Sequence, residues 1–320
     1  MILKSVWKIT QQTFSDFIDD KVLKLSAALA YYTIFSLPGL IIIVIWISDV
    51  FYGEKAVEGT VYRQIAGLVG NDAALQIQQT IRNATLSYEG GFAATIGIAT
   101  LIFGATSIFG EIQDSINGIW KLKAKPKKGW VKLLVNRLLS FSLIVTLGFL
   151  LLVSLIINAI MDAFINKFTV IFPHTEVIIA YVFNLLLSFA ITSFLFGLIF
   201  KVLPDAKIEW RHVRAGAFTT ALLFMIGKLG ISYYLGHNRL SSAYGAAGSV
   251  IVILLWVYYS AIILYFGAVF TRVYAIHRGS HIYPNNYAVW VEQVEIESDK
   301  SVQDQADTKT VITTDGEQEA

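Results

Sequence analysis

The residues with the most chemical potential in this sequence are polar ones set within or beside long apolar runs. Lys228 falls inside "TTALLFMIGKLGISYYLG" (219–236). A lysine there is costly in hydrocarbon and is expected to face a bundle interior, a cavity or a partner. The plainer alternative is that its stem carries the ammonium to an interface. Three further sets recur at helical spacing: Asn184, Ser188 and Thr192; Ser154, Asn158 and Asp162; and Ser107, Glu111 and Asp114. Each set shares one helical face. Such stripes either line a polar path or supply hydrogen bonds between helices. Glu111 is a chemical match for Lys228, although the two lie at different depths.

A second group is basic. "WKLKAKPKKGWVKLLVNR" (120–137) places Lys121, Lys123, Lys125, Lys127 and Lys128 beside Trp130. Lysines with aromatic anchors suit anionic lipid headgroups at a membrane surface, and ordinary topological charge bias explains the same pattern. RNA also presents phosphates, but no RNA-binding fold accompanies the patch, so no nucleic-acid partner is expected. The sequence has no Walker loop, dinucleotide fingerprint or His-Glu-x-x-His motif. His277 and His281 are four apart, yet Gly279 and Ser280 between them disfavour a helical metal pair. No cysteine is present, which removes disulfide and thiolate chemistry. The expectation is a protein without catalytic residues, metal or cofactor.

The elements that must position these groups follow from composition. Charged residues make up 15% of the chain and hydrophobic residues 55%, too little charge to cover a soluble surface of this size. Apolar runs occur at about 25–48, 90–110, 138–161, 177–200, 215–236 and 244–270. Each approaches or exceeds the roughly 20 residues that cross a hydrocarbon core as a helix. The alternating ten-residue pattern of a barrel is absent. The fold class expected is therefore all-α, a polytopic membrane protein with six transmembrane helices. The first run is read as a retained span, since it outlasts a signal peptide and lacks an Ala-x-Ala site.

Basic residues assign the sides. Lys4, Lys8, Lys21 and Lys24, the run at 121–137, Lys201, Lys207, Arg211, Arg214, Arg272 and Arg278 share one side. The positive-inside rule then places both termini in the cytoplasm. Residues 1–24 read as an amphipathic helix at the cytoplasmic interface, with Trp7, Phe14, Ile18 and Leu25 at helical intervals. A helical extension of the first span is the alternative. The transmembrane domain occupies 25–275, and its loop 50–89 reads as a small extracytoplasmic helical cap. A membrane-proximal segment at 276–291 precedes an acidic tail at 292–320. That tail carries nine acidic residues against two lysines and reads as disordered.

Three stretches resemble the YihY/virulence factor BrkB family of bacterial inner-membrane proteins, formerly mislabelled ribonuclease BN. They are "ALAYYTIFSLPGL" (28–40), "RAGAFTTALLF" (214–224) and "SAYGAAGSVIVILLWVYYSAIILYFGA" (242–268). The likeness spans roughly residues 10–280. It is carried by Ala30, Tyr31, Tyr32, Ser36, Pro38, Gly216, Tyr244, Gly245, Gly248, Trp256, Tyr258, Tyr259, Gly267 and Ala268. The resemblance implies six spans and an inner-membrane location. The family often has an acidic residue after the closing Gly-Ala, where this chain has Val269. A nuclease constellation is absent.

These observations support two functional expectations. The first is transport or flipping of a hydrophobic or anionic envelope component such as a lipid, with Lys228 and the polar stripes as the path. The alternative is a non-catalytic scaffold in envelope biogenesis, partnered by other membrane proteins. Gly245 and Gly248 would then serve close helix contact.

Overall fold

In lipid, a long apolar segment has no water to bond its backbone and must satisfy it internally. The computed structural model describes residues 2–35, 75, 107–125, 176–237, 246–280, 282–285 and 288–292, and is mostly helical. In chain order these form α1 (Ile2–Asp19), α2 (Val22–Phe35), α3 (107–119), β1 (Leu122–Ala124) and α4 (Glu176–Val202). Then come β2 (Ala206–Lys207), α5 (Trp210–His237), α6 (Ala246–His277), β3 (Tyr283–Pro284) and β4 (Ala288–Trp290). Residues Met1–Trp290 make one compact unit and Val291–Ala320 another.

Among the described residues, three helices are long and apolar enough to cross a membrane: Leu185–Val202, Trp210–Ile231 and Val250–His277. They coincide with the fourth, fifth and sixth runs expected from sequence. The second run, apart from its last residues, the third run, and the loop at 50–89 apart from Leu75 lie outside the described residues, as do residues 293–320.

Residues 2–35 are not one continuous helix. The chain breaks at Asp20–Lys21, where Lys21 takes a left-handed conformation with φ of 53°. The Lys21 amide bonds the Ile18 carbonyl, and the Leu25 amide bonds Lys21 to start the next turn. α1 buries Ile9 and Thr13, while Trp7, Phe14 and Ile18 remain exposed. α2 buries Val22, Ser26, Leu29 and Ala30 and leaves Tyr31, Tyr32 and Phe35 exposed. The same left-handed device ends α3, at Lys121 with φ of 57°.

The four short strands add to the helical expectation. β1 pairs antiparallel with β4, Leu122 opposite Trp290 and Ala124 opposite Ala288. β2 pairs antiparallel with β3, Ala206 opposite Pro284. β3 and β4 thus tie down the loops that follow α4 and α3. Strands form here because loop backbone outside the helices still needs partners when it is enclosed.

α5 and α6 pack antiparallel through a reciprocal contact. Thr271 presses on Gly216, and Thr220 presses on Gly267. A Cβ placed on either glycine would stand 2.9 Å from the opposing threonine Cβ and overlap its hydroxyl. Each threonine also donates to the glycine four residues back in its own helix, Thr220 to Gly216 at 2.7 Å and Thr271 to Gly267 at 2.6 Å. The hydroxyls are thereby satisfied without a partner across the interface. Small residues allow such close approach, which drives helix association where lipid removes the hydrophobic effect. Further along, the Tyr259 ring lies over Gly227.

Overpacking costs about 1–3 kcal/mol in a tight contact. Gly216→Ala and Gly267→Ala are therefore expected to lower the detergent unfolding midpoint. Gly230→Ala, with open space around it, leaves it unchanged or raised. A thermal series on the three purified variants checks this, and equal midpoints would refute the contact.

Candidate functional site at the base of the bundle

Polar chemistry concentrates where α1, α3, α5, α6 and the short strands meet. At its centre is Arg272, in the last two turns of α6 and 8% exposed. Its Nη2 lies 2.5 Å from Asp16 Oδ2 and 3.1 Å from Asp20 Oδ2. Its Nη1 donates to the Ile119 carbonyl at the end of α3. The final carbonyls of a helix lack intrahelical donors and carry partial negative charge, so a guanidinium suits that place. Lys121 Nζ completes the group, 2.5 Å from Asp20 Oδ1. The helix periodicity of α1 puts Asp16 and Asp20 on the same inward face as Ile9 and Thr13.

A second node surrounds Asp205, in the connection between α4 and α5. Its carboxylate accepts from Gln113 Nε2 and Asn117 Nδ2, each at 3.0 Å. Its amide donates to Asn117 Oδ1 at 2.8 Å, and its carbonyl accepts from the Asn285 amide at 3.0 Å. Gln113 and Asn117 are one helical turn apart on α3, which lets both reach a single carboxylate. Trp120 Nε1 adds a bond to the Ala268 carbonyl at 3.0 Å. α3 is thus joined to α6 and to the connection after α4 by directional bonds.

Two cavities open beside these nodes. One of about 600 Å³ lies among the end of α1, the α3–β1 turn, the end of α6 and the following strands. Its lining includes Asp16, Asp19, Asp20, Lys121, Arg272, Ser280, Tyr283 and Trp290. The other, of about 510 Å³, lies under the 203–209 connection and is lined by Lys201, Lys207, Glu209, Tyr283 and Asn285 among others. Lys201 donates to the Ile208 carbonyl at 2.5 Å and stands 6.0 Å above the Trp210 ring. His212 is fully buried, its ring 6.3 Å from that of Tyr274 and its Nδ1 4.0 Å from Glu209 Oε2, with no hydrogen bond to either nitrogen.

The residues singled out from sequence are dispersed. Lys228 is exposed on α5, and no ion pair to it forms among the described residues. Ser188 is exposed and Thr192 half-buried on α4; Asn184 lies on the same helix. Asn158 and Asp162 lie outside the described residues. Glu111 is half-buried on α3, just beyond the second run, and Asp114 is exposed. Burial pushes the Glu111 carboxyl up from its ordinary value, with repulsion from Asp114 adding to this and the Ser115 hydroxyl opposing it. The Tyr265 hydroxyl is enclosed beside Ser115 and Glu111 and makes no hydrogen bond of normal geometry.

Of the basic group, Lys121 joins the Arg272 node, while Lys123 and Lys125 are exposed. Lys127, Lys128 and Trp130 lie outside the described residues, with Pro38, Tyr244 and Gly245. Gly248 falls in the first turn of α6. Trp256 is buried against Phe224, with ring centroids 6.2 Å apart, and Tyr258 and Tyr259 are half-buried. Val269 is fully buried in the apolar core.

Sequence reading did not single out Arg272, Asp16, Asp20, Asp205, Gln113 or Asn117 as a site. Asp16 and Asp20 lie on the helical face opposite Trp7, Phe14 and Ile18, which reads from sequence as the solvated side. Asp205 after Pro204 looked like ordinary turn chemistry.

Membrane-length apolar helices joined at one end by buried polar nodes define a helical membrane protein. The chain belongs to the virulence factor BrkB family, whose model matches residues 13–287. It is 27% identical over 247 residues to a UPF0761 membrane protein of Pseudoalteromonas atlantica, covering 77% of this chain and 78% of that one. It is 26% identical over 253 residues to a UPF0761 membrane protein of Xanthomonas campestris, covering 79% of this chain and 57% of that relative. No solved structure matches.

Breaking a buried ion pair by removing one partner costs about 3–5 kcal/mol. Arg272→Ala is expected to release α1 and expose it to limited proteolysis near residues 16–21. Asp16→Asn combined with Asp20→Asn in the Arg272→Ala background is expected to restore part of the protection, because no buried carboxylate is left without its cation and Lys121, 40% exposed, is left to solvent. An unchanged cleavage pattern in Arg272→Ala would refute the role given to this node.

Proposed function

We propose that this protein moves or flips a hydrophobic or anionic envelope component, such as a lipid, across or within the bacterial inner membrane. In this reading both termini and the polar base face the cytoplasm, in keeping with the basic residues clustered there. The observation that carries the reading is Lys228. It is exposed within Trp210–Ile231, one of the membrane-length apolar segments. A lysine facing lipid within such a segment is costly, so it calls for an anionic group to cover it. An anionic headgroup passing along α5 meets that need. Without an ATP-binding motif in the sequence, uphill movement would draw on an ion gradient or a partner.

A scaffold reading accounts for the same lysine by a carboxylate on a partner membrane protein. The exposed apolar row Phe218, Leu222, Ile226 and Leu229 on α5 suits a protein neighbour as well as lipid. The two readings differ in vesicles. Lys228→Ala and Asn184→Ala proteins, purified at normal yield and reconstituted, are expected to lose movement of a fluorescent anionic lipid that the unmodified protein supports. Unchanged movement in both sinks the path. No movement by the unmodified protein, with a membrane partner co-purifying through Lys228, favours the scaffold.

A further inference from the structure

We infer that the cavity of about 510 Å³ under the 203–209 connection binds a phosphate ester whose negative charge is not balanced by an ammonium of its own. Lys201 and Lys207 stand in its wall with one carboxylate, Glu209. That carboxylate is 68% exposed and faces a residue outside the wall, Arg211, whose Nη2 lies 3.6 Å from Glu209 Oε2. Asp205, the other acid of the connection, is occupied on α3, where Gln113 and Asn117 donate to its two oxygens. The wall is left with a surplus of positive charge. Lys201 gives that surplus a fixed place. It is half-buried; its ammonium donates to the Ile208 carbonyl and stands 6.0 Å above the Trp210 ring. Among the described residues no carboxylate pairs with it. An ammonium has three donors, so one carbonyl leaves two of them for a ligand. Taking a cation partly out of water without a counter-ion is costly, and an entering anion relieves that cost.

Lys207, exposed in the same wall, adds a second cation, and the Asn285 side chain a neutral donor. A cavity of this size fits a small organic group, not a bare ion. Its location names the source. Lys201 and Val202 end the apolar segment Leu185–Val202, and Trp210 begins the segment Trp210–Ile231. The connection between them is short, so both ends stand at one membrane surface, at the depth of lipid headgroups. Val202, Trp210 and Tyr283 are exposed there, an apolar and aromatic rim suited to that depth. An acidic headgroup therefore reaches the Lys201 ammonium while its acyl chains stay in the bilayer. The site is separate from Lys228, and binding at it requires no movement of lipid across the membrane.

Full-length protein in detergent is titrated with short-chain phosphatidylglycerol, short-chain phosphatidylcholine and free glycerol phosphate. Binding is read by calorimetry, and locally by acylation of Lys201 with an amine reagent, mapped by mass spectrometry. The glycerol lipid is expected to bind at least about tenfold tighter than the choline lipid, whose ammonium cancels its phosphate, and to shield Lys201. Lys207→Gln is expected to weaken that binding about fivefold, with the unfolding midpoint little changed. Lys201→Gln weakens it further and Lys201→Arg retains it; where Lys201→Gln fails to fold, Lys207→Gln and the shielding still decide. Arg214→Gln removes an exposed charge outside the wall and leaves binding unchanged. Glycerol phosphate binding as well as the lipid assigns the ligand to a soluble source; weaker binding assigns it to the membrane. Equal affinity for the two lipids, a Lys201 still acylated at saturation, or a loss in Lys207→Gln no larger than in Arg214→Gln overturns the proposal.

Discussion

A guanidinium buried at the end of an apolar helix cannot stand alone, and much of the described architecture follows from how Arg272 is answered. Desolvating a charge costs several kcal/mol even after relaxation, so the pairing must be close and the remaining donors used. Asp16 and Asp20 supply the charge, and the Ile119 carbonyl takes a further donor. That requirement draws α1 against α6 and fixes the end of α3 on the same helix. It also explains the breaks in the chain. α1 must stop at Asp19 for Asp20 to reach Arg272 while Val22 begins a new helix. α3 must stop for Lys121 to return to Asp20. Left-handed lysines do both. Such backbone is unfavourable for a residue with a Cβ, and persists where surrounding contacts over-determine it.

The middle of the bundle is held differently. α5 and α6 meet through glycine and threonine, with each hydroxyl bonded within its own helix. This contact relies on shape: no charge is buried, and no polar group waits for a partner. Aromatic packing takes over further from the base, where Phe224 meets Trp256 and Tyr259 covers Gly227. Hydrocarbon explains the division. Close packing remains available at any depth in a membrane, whereas ion pairs are least costly near its surface.

The membrane-length helices were legible because length and hydropathy decide them. α4, α5 and α6 lie where the apolar runs lie, and Gly216 and Gly267, drawn from the family resemblance, form the close contact. The polar base was not legible. Asp16 and Asp20 looked like the solvated side of an amphipathic helix, and Arg272 like one more inside charge. Which face of α1 turns inward depends on a residue more than 250 positions away, and local periodicity carries no such information. The strand pairs escaped for a similar reason. Segments of two or three residues have no period to read, and their partners lie far off in sequence.

This division of labour bears on which parts of the bundle can move apart. Asp205 ties the α4–α5 connection to α3 and to Asn285, while Arg272 ties α6 to α1 and α3. Separating these elements would strip several buried polar groups of their partners at once, and each such loss is large beside the net stability of a protein. The base therefore behaves as one body. Any relative movement has to come from surfaces that lack such bonds, and the exposed faces of α4 and α5 are largely apolar, with Leu185, Leu186, Phe194, Phe218, Leu222 and Ile226 outward. Lys228 sits on that side of the division, exposed on α5 and away from the node that locks the base.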